Sequence, residues 1–152
     1  MNIIRKIGYS FLCSVLCLAA AGGATTGREK NGFQVIVHKS NTTPPLSKKE
    51  ISMLFLKKKK KWLNGDPVLP VDLQQDSEVR IQFSKEIHDK KMPQLRAYWQ
   101  RRIFTGTDVP PPEKATDEEI LKYVHENRAA IGYISAQRAI DKYDVKKLVP
   151  EN

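Results

Sequence analysis

The sequence predicts an α/β domain in which helices pack on a small, partly parallel sheet. Short runs rich in β-branched residues alternate with longer segments in which apolar residues recur every three or four positions. Turn signals such as SNTTPP and NGDP separate these segments. The predicted order is strand, helix, strand, helix, helix, helix, strand. A length of 152 residues suffices for one ordinary domain.

The first 24 residues have the pattern of a secretory signal peptide. Arg5 and Lys6 precede an apolar stretch that ends in small residues, and cleavage after Ala21 or Ala24 would fit. A membrane anchor is the alternative, but the apolar core is shorter than the ~20 residues that a spanning helix needs. We therefore expect secretion across the inner membrane into the periplasm, with a flexible segment at 25–32 and one folded domain at 33–152.

The residues that usually carry chemistry are few. Both cysteines, Cys13 and Cys17, lie in the predicted signal peptide, so we expect no disulfide and no thiol nucleophile in the mature chain. His38, His88 and His125 show no metal-ligand spacing, and each is predicted to lie on the surface or at a strand end. The sequence contains no recognisable Ser-His-Asp pattern. We therefore predict no catalysis, no cofactor and no metal site.

The charge is basic and concentrated in one place. The formal net charge is +9, or +7 if Arg5 and Lys6 leave with the signal peptide. Five consecutive lysines, residues 57–61 (the lysine run), supply much of it. Export and the absence of interleaved aromatic residues argue against binding of nucleic acid. The lysine run is interpreted as a solvated helix end near the C-terminal dipole, with contact to an anionic surface as the alternative.

The first elements are a strand, a helix and a second strand. FQVIVHK alternates, which places Phe33, Val35 and Val37 on one face of a strand. LSKKEISMLFL predicts a helix with a capping box formed by Ser47 and Glu50. NGDP then leads into VLPVDL, a strand in which Pro70 predicts a sheet edge or an irregular end.

Three helices and a strand follow. The first begins near Ser77 and has a predicted buried stripe with a four-residue spacing: Val79, Phe83 and Ile87. The second has Pro93 in its first turn and an apolar series at helical spacing: Leu95, Tyr98, Trp99 and Ile103. The third opens with a second capping box, Thr116 with Glu119. AAIGYISA then predicts a short buried strand, and KKLVP a possible last one.

The stretches LFLKKKKKWLNGDPVLPVD, DSEVRIQF and AAIGYIS contain four motifs. In this order they resemble one lobe of the phosphate-binding proteins of bacterial ABC transporters. In that family an apolar helix ends in Phe-Leu-Gly-Lys, a Trp precedes an Asp-Gly turn, a strand leads into a Ser-Gly-Thr helix start, and a Gly-Ala-Ile-Gly-Tyr strand comes later. The matching positions are Phe55, Leu56, Trp62, Gly65, Ser77, Phe83, Ala130, Ile131, Gly132 and Tyr133. The resemblance spans roughly residues 33–140 and implies one lobe of a type 2 periplasmic-binding-protein-like fold, with helices on a small mixed sheet.

The resemblance also implies an anion site at the start of the helix near Ser77. In the family the serine, the next glycine, the following threonine and an arginine four residues before the serine all touch phosphate. Only Ser77 matches, because Leu73, Glu78 and Val79 occupy the other three positions. The site is therefore expected to be degraded or repurposed.

Ser77 and Arg80 remain as the candidate ligand-binding residues. Arg80 lies one turn into the helix and could reach an anion, or it could pair with Asp76 or Glu78. Because Glu78 adds negative charge where the anion would bind, we expect binding on the order of millimolar, or none.

These observations predict an exported, non-catalytic, solute-binding-like domain that is accessory to uptake or sensing of phosphate or another oxyanion. The family's members close two lobes on phosphate, whereas this chain resembles only the second lobe. A membrane transporter or a sensor protein is the expected partner. The alternative function is an interaction module without a ligand, which docks a protein or an anionic surface through the lysine run.

Overall fold

The computed structural model describes residues 32–151. The helices are α1 (Lys48–Phe55), α2 (Glu78–His88), α3 (Met92–Phe104) and α4 (Asp117–Glu126). The strands are β1 (Phe33–His38), β2 (Leu46–Ser47), β3 (Leu69–Pro70), β4 (Asp72–Leu73), β5 (Glu113–Lys114), β6 (Ala130–Ser135), β7 (Val145–Lys147) and β8 (Pro150–Glu151). The predicted signal peptide lies outside the described residues. Within 32–151, no helix combines the length and the apolar character needed to cross a membrane.

The central sheet is small and mixed. Its strand order is β3-β6-β1-β7, with β1 antiparallel to both of its neighbours and β3 parallel to β6. Two further parallel pairs, β2 with β8 and β4 with β5, lie outside it. The predicted α/β class and the partly parallel sheet are confirmed. Pro70 lies on the edge strand β3, where a missing backbone N–H is tolerated.

Helices cover both faces of this sheet, as two consecutive residues of β6 show. A Cβ at Gly132 would lie 2.8 Å from Ile120 Cγ2, so glycine at this position lets α4 pack closely on one face. Tyr133 points to the opposite face and contacts the rings of Phe55 in α1 and Phe83 in α2.

Because both faces are covered, β1 is buried on both sides. Ile36, which lies opposite Gly132 on the α4 side of the sheet, is fully buried. Gln34, on the same side, is only 8% exposed, and its amide donates hydrogen bonds to the carbonyl oxygens of Ser135 and Arg138. The alternation in β1 therefore distinguishes two buried faces rather than a core face and a solvent face.

The helix caps follow the sequence closely. Ser47 is the N-cap of α1, and its N–H donates to the Glu50 carboxylate at 3.0 Å, which completes the predicted capping box. Thr116 caps α4 by accepting the Glu119 N–H. The Glu119 carboxylate instead accepts the N–H of Ala115 at 2.7 Å, so the second predicted box does not form.

The predicted apolar stripes hold except at one position. In α2, Phe83 and Ile87 are buried and Val79 is half-buried against the core. In α3, Trp99 is buried, but Ile103 is 52% exposed. The α3 stripe therefore ends one turn earlier than its spacing predicts.

The lysine run terminates α1. Lys57 adopts a left-handed conformation (φ 51°), and the N–H of Lys58 donates to the Met53 carbonyl oxygen at 2.9 Å. Lys60 Nζ lies 2.7 Å from Asp108 Oδ2, and Lys57 Nζ lies 3.6 Å from Asp108 Oδ1. The run is a helix end, as predicted, but part of its charge is compensated by Asp108.

The three histidines differ in their surroundings. His38 ends β1 and His125 is exposed, in agreement with the prediction. For His88 the prediction is wrong, because it is half-buried at the end of α2, with Nδ1 2.8 Å from Ser52 Oγ and its ring against the edge of Phe83. The burial of His88 depends on how α1 packs on α2. The position of His88 in the sequence does not reveal that packing.

We expect His88 to make the fold sensitive to acid. Burial, with the charges of Arg80, Lys90 and Lys58, lowers the pKa of His88 to about 4, against about 6.5 in an unfolded chain. The unfolded chain therefore takes up a proton at higher pH than the folded one. Stability that is present above about pH 6.5 is lost as the pH falls towards 4, with a slope of at most about 1.4 kcal/mol per pH unit.

Urea unfolding of the wild type and of His88→Gln between about pH 7.5 and pH 4 measures this effect. The His88→Gln chain should show the shallower pH dependence. His125→Gln, which changes an exposed histidine, should behave like the wild type. Parallel pH profiles for all three chains would contradict the prediction.

Candidate functional site

The chain enters the predicted anion site through β4 and a short turn. The N–H of Ser77 donates to the Gln74 carbonyl oxygen at 3.0 Å and closes the turn. Ser77 is then the N-cap of α2, with φ −63° and ψ 126°, and its Oγ accepts the N–H of Arg80 at 3.4 Å. The first N–H groups of a helix have no intrahelical acceptor. Those of Glu78 and Val79 are thus left at the open end of α2.

The side chains around this helix end oppose a bound anion. Asp76 and Glu78 are exposed, and their charges favour the helix dipole but repel an anion at the same place. The Val79 side chain offers no hydrogen-bond donor. Leu73, at the position of the family's arginine, is 2% exposed and belongs to the core. An arginine at position 73 would carry its charge into that core.

Arg80 is buried, with 4% of its surface exposed. Its Nη1 lies 2.7 Å from Glu113 Oε1, and its Nη2 lies 3.2 Å from Asp72 Oδ2. The predicted alternative, a pair with Asp76 or Glu78, is wrong. The guanidinium is held by the ends of β4 and β5 instead of the start of α2.

Asp72 connects Arg80 to the core. The Tyr133 hydroxyl donates to Asp72 Oδ1 and accepts the N–H of Leu73 at 3.4 Å. Burial raises the pKa of Asp72, while the Arg80 charge and the Tyr133 hydrogen bond act in the opposite direction. Burial and the neighbouring Asp72 raise the pKa of Tyr133 well above its ordinary value, so Tyr133 is a neutral donor at physiological pH.

The Arg80 guanidinium remains charged within this network. Burial by itself lowers the pKa of Arg80, but Asp72, Tyr133 and Glu113 together raise it. Two carboxylates therefore already compensate a single guanidinium. An anion that reaches Arg80 must compete with Glu113.

The structure uses the two candidate ligand residues differently. The Ser77 hydroxyl accepts a hydrogen bond from the backbone N–H of Arg80. The Arg80 side chain extends to the ends of β4 and β5 and also donates to the Leu73 carbonyl oxygen. Within residues 32–151, no contact joins the Ser77 hydroxyl to the Arg80 guanidinium. That both bind a ligand stays a prediction.

Sequence reasoning missed Asp72 and Glu113 as the partners of Arg80, and Tyr133 as the partner of Asp72. Arg80 and Glu113 are 33 positions apart, and Asp72 and Tyr133 are 61 apart, so no local periodicity links them. One signal was available, since a carboxylate between Val71 and Leu73 in an apolar segment needs a partner once it is buried.

Solved structures with the same arrangement of elements include three phosphate-related proteins. One, from Clostridium perfringens, is described as a phosphate ABC transporter substrate-binding protein with bound phosphate; it has a TM-score of 0.61 and 24% identity, covering 77% of this chain and 44% of its own. An ABC-type phosphate transport receptor from Vibrio cholerae has a TM-score of 0.60 and 14% identity, and the match covers 77% of this chain and 45% of the receptor. A protein from Planctomyces limnophilus, described as phosphate binding, has a TM-score of 0.60 and 16% identity, and the match covers 80% of this chain and 42% of that protein.

The described part of the chain has the fold of one lobe of these three solved proteins. The chain spans less than half the length of each of the three proteins, which agrees with the predicted single lobe. Identities below 25% establish the fold and leave the ligand open. No protein-family model and no curated protein matches the sequence. The predicted type 2 periplasmic-binding-protein-like lobe is confirmed.

Proposed function

We propose that the chain is an exported, non-catalytic, solute-binding-like domain that is accessory to uptake or sensing of phosphate or another oxyanion. The observation that carries this proposal is the lobe fold with an open start of α2, where the N–H groups of Glu78 and Val79 can meet an anion. The similar solved proteins support it, because all three are described as phosphate-binding or phosphate-transport proteins.

Binding by this lobe alone is expected to be weak. Asp76 and Glu78 repel an anion at the helix start, and Arg80 is already compensated by Asp72 and Glu113. One lobe also leaves the ligand open to water. A dissociation constant in the millimolar range corresponds to about −4 kcal/mol. A second copy, a membrane transporter or a sensor protein would supply the opposing wall.

The double variant Glu78→Gly/Val79→Thr tests the site at the start of α2. It should strengthen binding of inorganic phosphate, because it removes a negative charge and adds a hydroxyl donor. Ser77→Ala should weaken any binding present. Calorimetric titration at constant ionic strength measures both. Leu73→Arg would complete the family pattern, but the burial of Leu73 makes that change costly to the fold.

The control is Glu86→Gly, which removes the same charge from an exposed position further along α2. It should leave phosphate binding unchanged. Equal phosphate affinity in the wild type, Ser77→Ala and the double variant would show that the start of α2 is not the binding site.

A second candidate function is an interaction module without a ligand. The double compensation of Arg80 favours it, because Glu113 takes the place that an anion would otherwise occupy. The docking surface would be the lysine run, in which Lys58, Lys60 and Lys61 are exposed. Thermal melting with millimolar phosphate or sulfate separates the two functions, since a ligand of the folded state raises the melting temperature.

A further inference from the structure

A cavity of about 220 Å³ lies between α2, α3 and β5. One stripe of α3, spaced i, i+3, i+4 and i+7, lines it with Arg96, Trp99, Gln100 and Ile103. Arg80 and Glu113 also border it. Ser77, Glu78 and Val79 do not, so the cavity shares Arg80 with the predicted anion site but does not include the start of α2.

Arg96, Trp99 and Gln100 line this cavity, and none of their side-chain donors has a partner among residues 32–151. Arg96 and Gln100 are exposed. Arg96 makes neither an ion pair nor a hydrogen bond there. Trp99 is only 7% exposed, yet its indole N–H donates to no acceptor in the described part of the chain. This N–H is not completely buried, so water can reach it, and a ligand that enters the cavity would take the place of that water. By contrast, Trp62 donates its N–H to the Ala129 carbonyl oxygen at 2.9 Å. The free donors of the cavity therefore favour a ligand that brings oxygen acceptors.

The charges of the lining leave one cation uncompensated. Glu113 and Asp72 balance Arg80, and Gln75 Nε2 lies 3.3 Å from the same Glu113 oxygen. Arg96 has no such counterion. An anionic group beside Arg96 would meet a free guanidinium, which binds carboxylate and phosphate groups through paired hydrogen bonds.

Apart from Gln75 and Gln100, the rest of the wall is apolar, formed by Met92, Leu95, Trp99, Ile103 and Pro110. An inorganic oxyanion would leave this wall uncovered, whereas a ligand with an apolar part would cover it. The position where the predicted buried stripe fails, Ile103, is on this wall. The cavity is smaller than the ~300–1,000 Å³ of pockets for drug-sized ligands, which limits the ligand to a small molecule.

We propose that this cavity binds a small organic anion. Its carboxylate or phosphate-ester oxygens accept from Arg96 and from the indole N–H of Trp99. Its apolar part packs on Leu95 and Ile103. The proposal rests on Arg96 and Trp99, which are not candidate residues of the oxyanion site, although Arg80 borders the cavity as well. Each proposal can therefore hold without the other.

Calorimetric titration of the full chain with benzoate and with phenyl phosphate tests the proposal, and the two probes tell a carboxylate from a phosphate ester. Inorganic phosphate and benzyl alcohol are the comparison probes, since each offers only the anionic or only the apolar feature. We expect at least one organic anion to bind about tenfold or more tightly than either comparison probe, and Arg96→Ala to weaken that binding by about tenfold or more. Trp99→Phe, which keeps a ring but removes the donor, should weaken it too.

Arg101→Ala is the matched control, because it removes the same charge from an exposed position on α3 outside the cavity. It should bind the organic anion as the wild type does, and thermal melting should show all variants folded. Binding that is sensitive to Arg96→Ala but not to Ser77→Ala supports the cavity site, whether or not inorganic phosphate binds. No saturable binding of either organic anion, or equal binding in the wild type and a folded Arg96→Ala chain, overturns the proposal.

Discussion

Replacing Phe83 with alanine is expected to lower the free energy of unfolding by roughly 3–5 kcal/mol. Phe83 is fully buried and stacks on the Tyr133 ring at a centroid distance of 3.8 Å and an interplanar angle of 5°. The rings of Phe33 and Phe55 meet it edge-on at 5.2 Å and 4.9 Å. Truncation would leave a cavity between α1, α2 and the sheet that these rigid neighbours cannot fill.

Urea denaturation measures this loss, and Phe104→Ala is its control. The same atoms are removed there from a side chain that is 92% exposed, so we expect a change within about 0.5 kcal/mol. A loss below about 1 kcal/mol for Phe83→Ala would contradict the packing of α2 on the sheet, because full burial of an aromatic ring costs more than that to undo.

Replacing Arg80 with methionine is expected to cost about 3–5 kcal/mol near neutral pH. Methionine keeps most of the side-chain volume but removes the charge between Asp72 and Glu113. Asp72 is buried beneath Tyr133 and cannot recover its hydration. Because burial already raises the pKa of Asp72, loss of Arg80 should raise it further. The variant should therefore regain part of its stability as the pH falls and Asp72 takes up a proton.

A double-mutant cycle tests this pair. Asp72→Asn removes the carboxylate charge, so the combined Asp72→Asn/Arg80→Met chain should be more stable than the sum of the single losses predicts. Arg101→Met, at an exposed position of α3, should change stability by no more than about 0.5 kcal/mol. Additive losses, or a deficit in Arg80→Met that does not vary with pH, would show that Asp72 does not depend on Arg80.

The sequence by itself determined the local structure of this protein. The capping box of Ser47 and Glu50, the N-cap at Ser77 and the buried stripe through Phe83 all depend on residues within about four positions of each other. Such short spacings survive in any tertiary arrangement, because the helix geometry itself creates them. The overall fold was predicted from the family motifs and their order along the chain. These motifs predicted a single lobe, which the solved structures confirm.

The tertiary structure alone decided which distant groups meet. It paired Arg80 with Glu113, 33 positions away, and it put His88 against Ser52 of α1. It also covered both faces of β1 and left Ile103 beside a cavity instead of in the core. Periodicity tells which side chains share a face, but burial depends on which other element covers that face. Charge partners likewise follow from the packing of elements that are far apart in the chain.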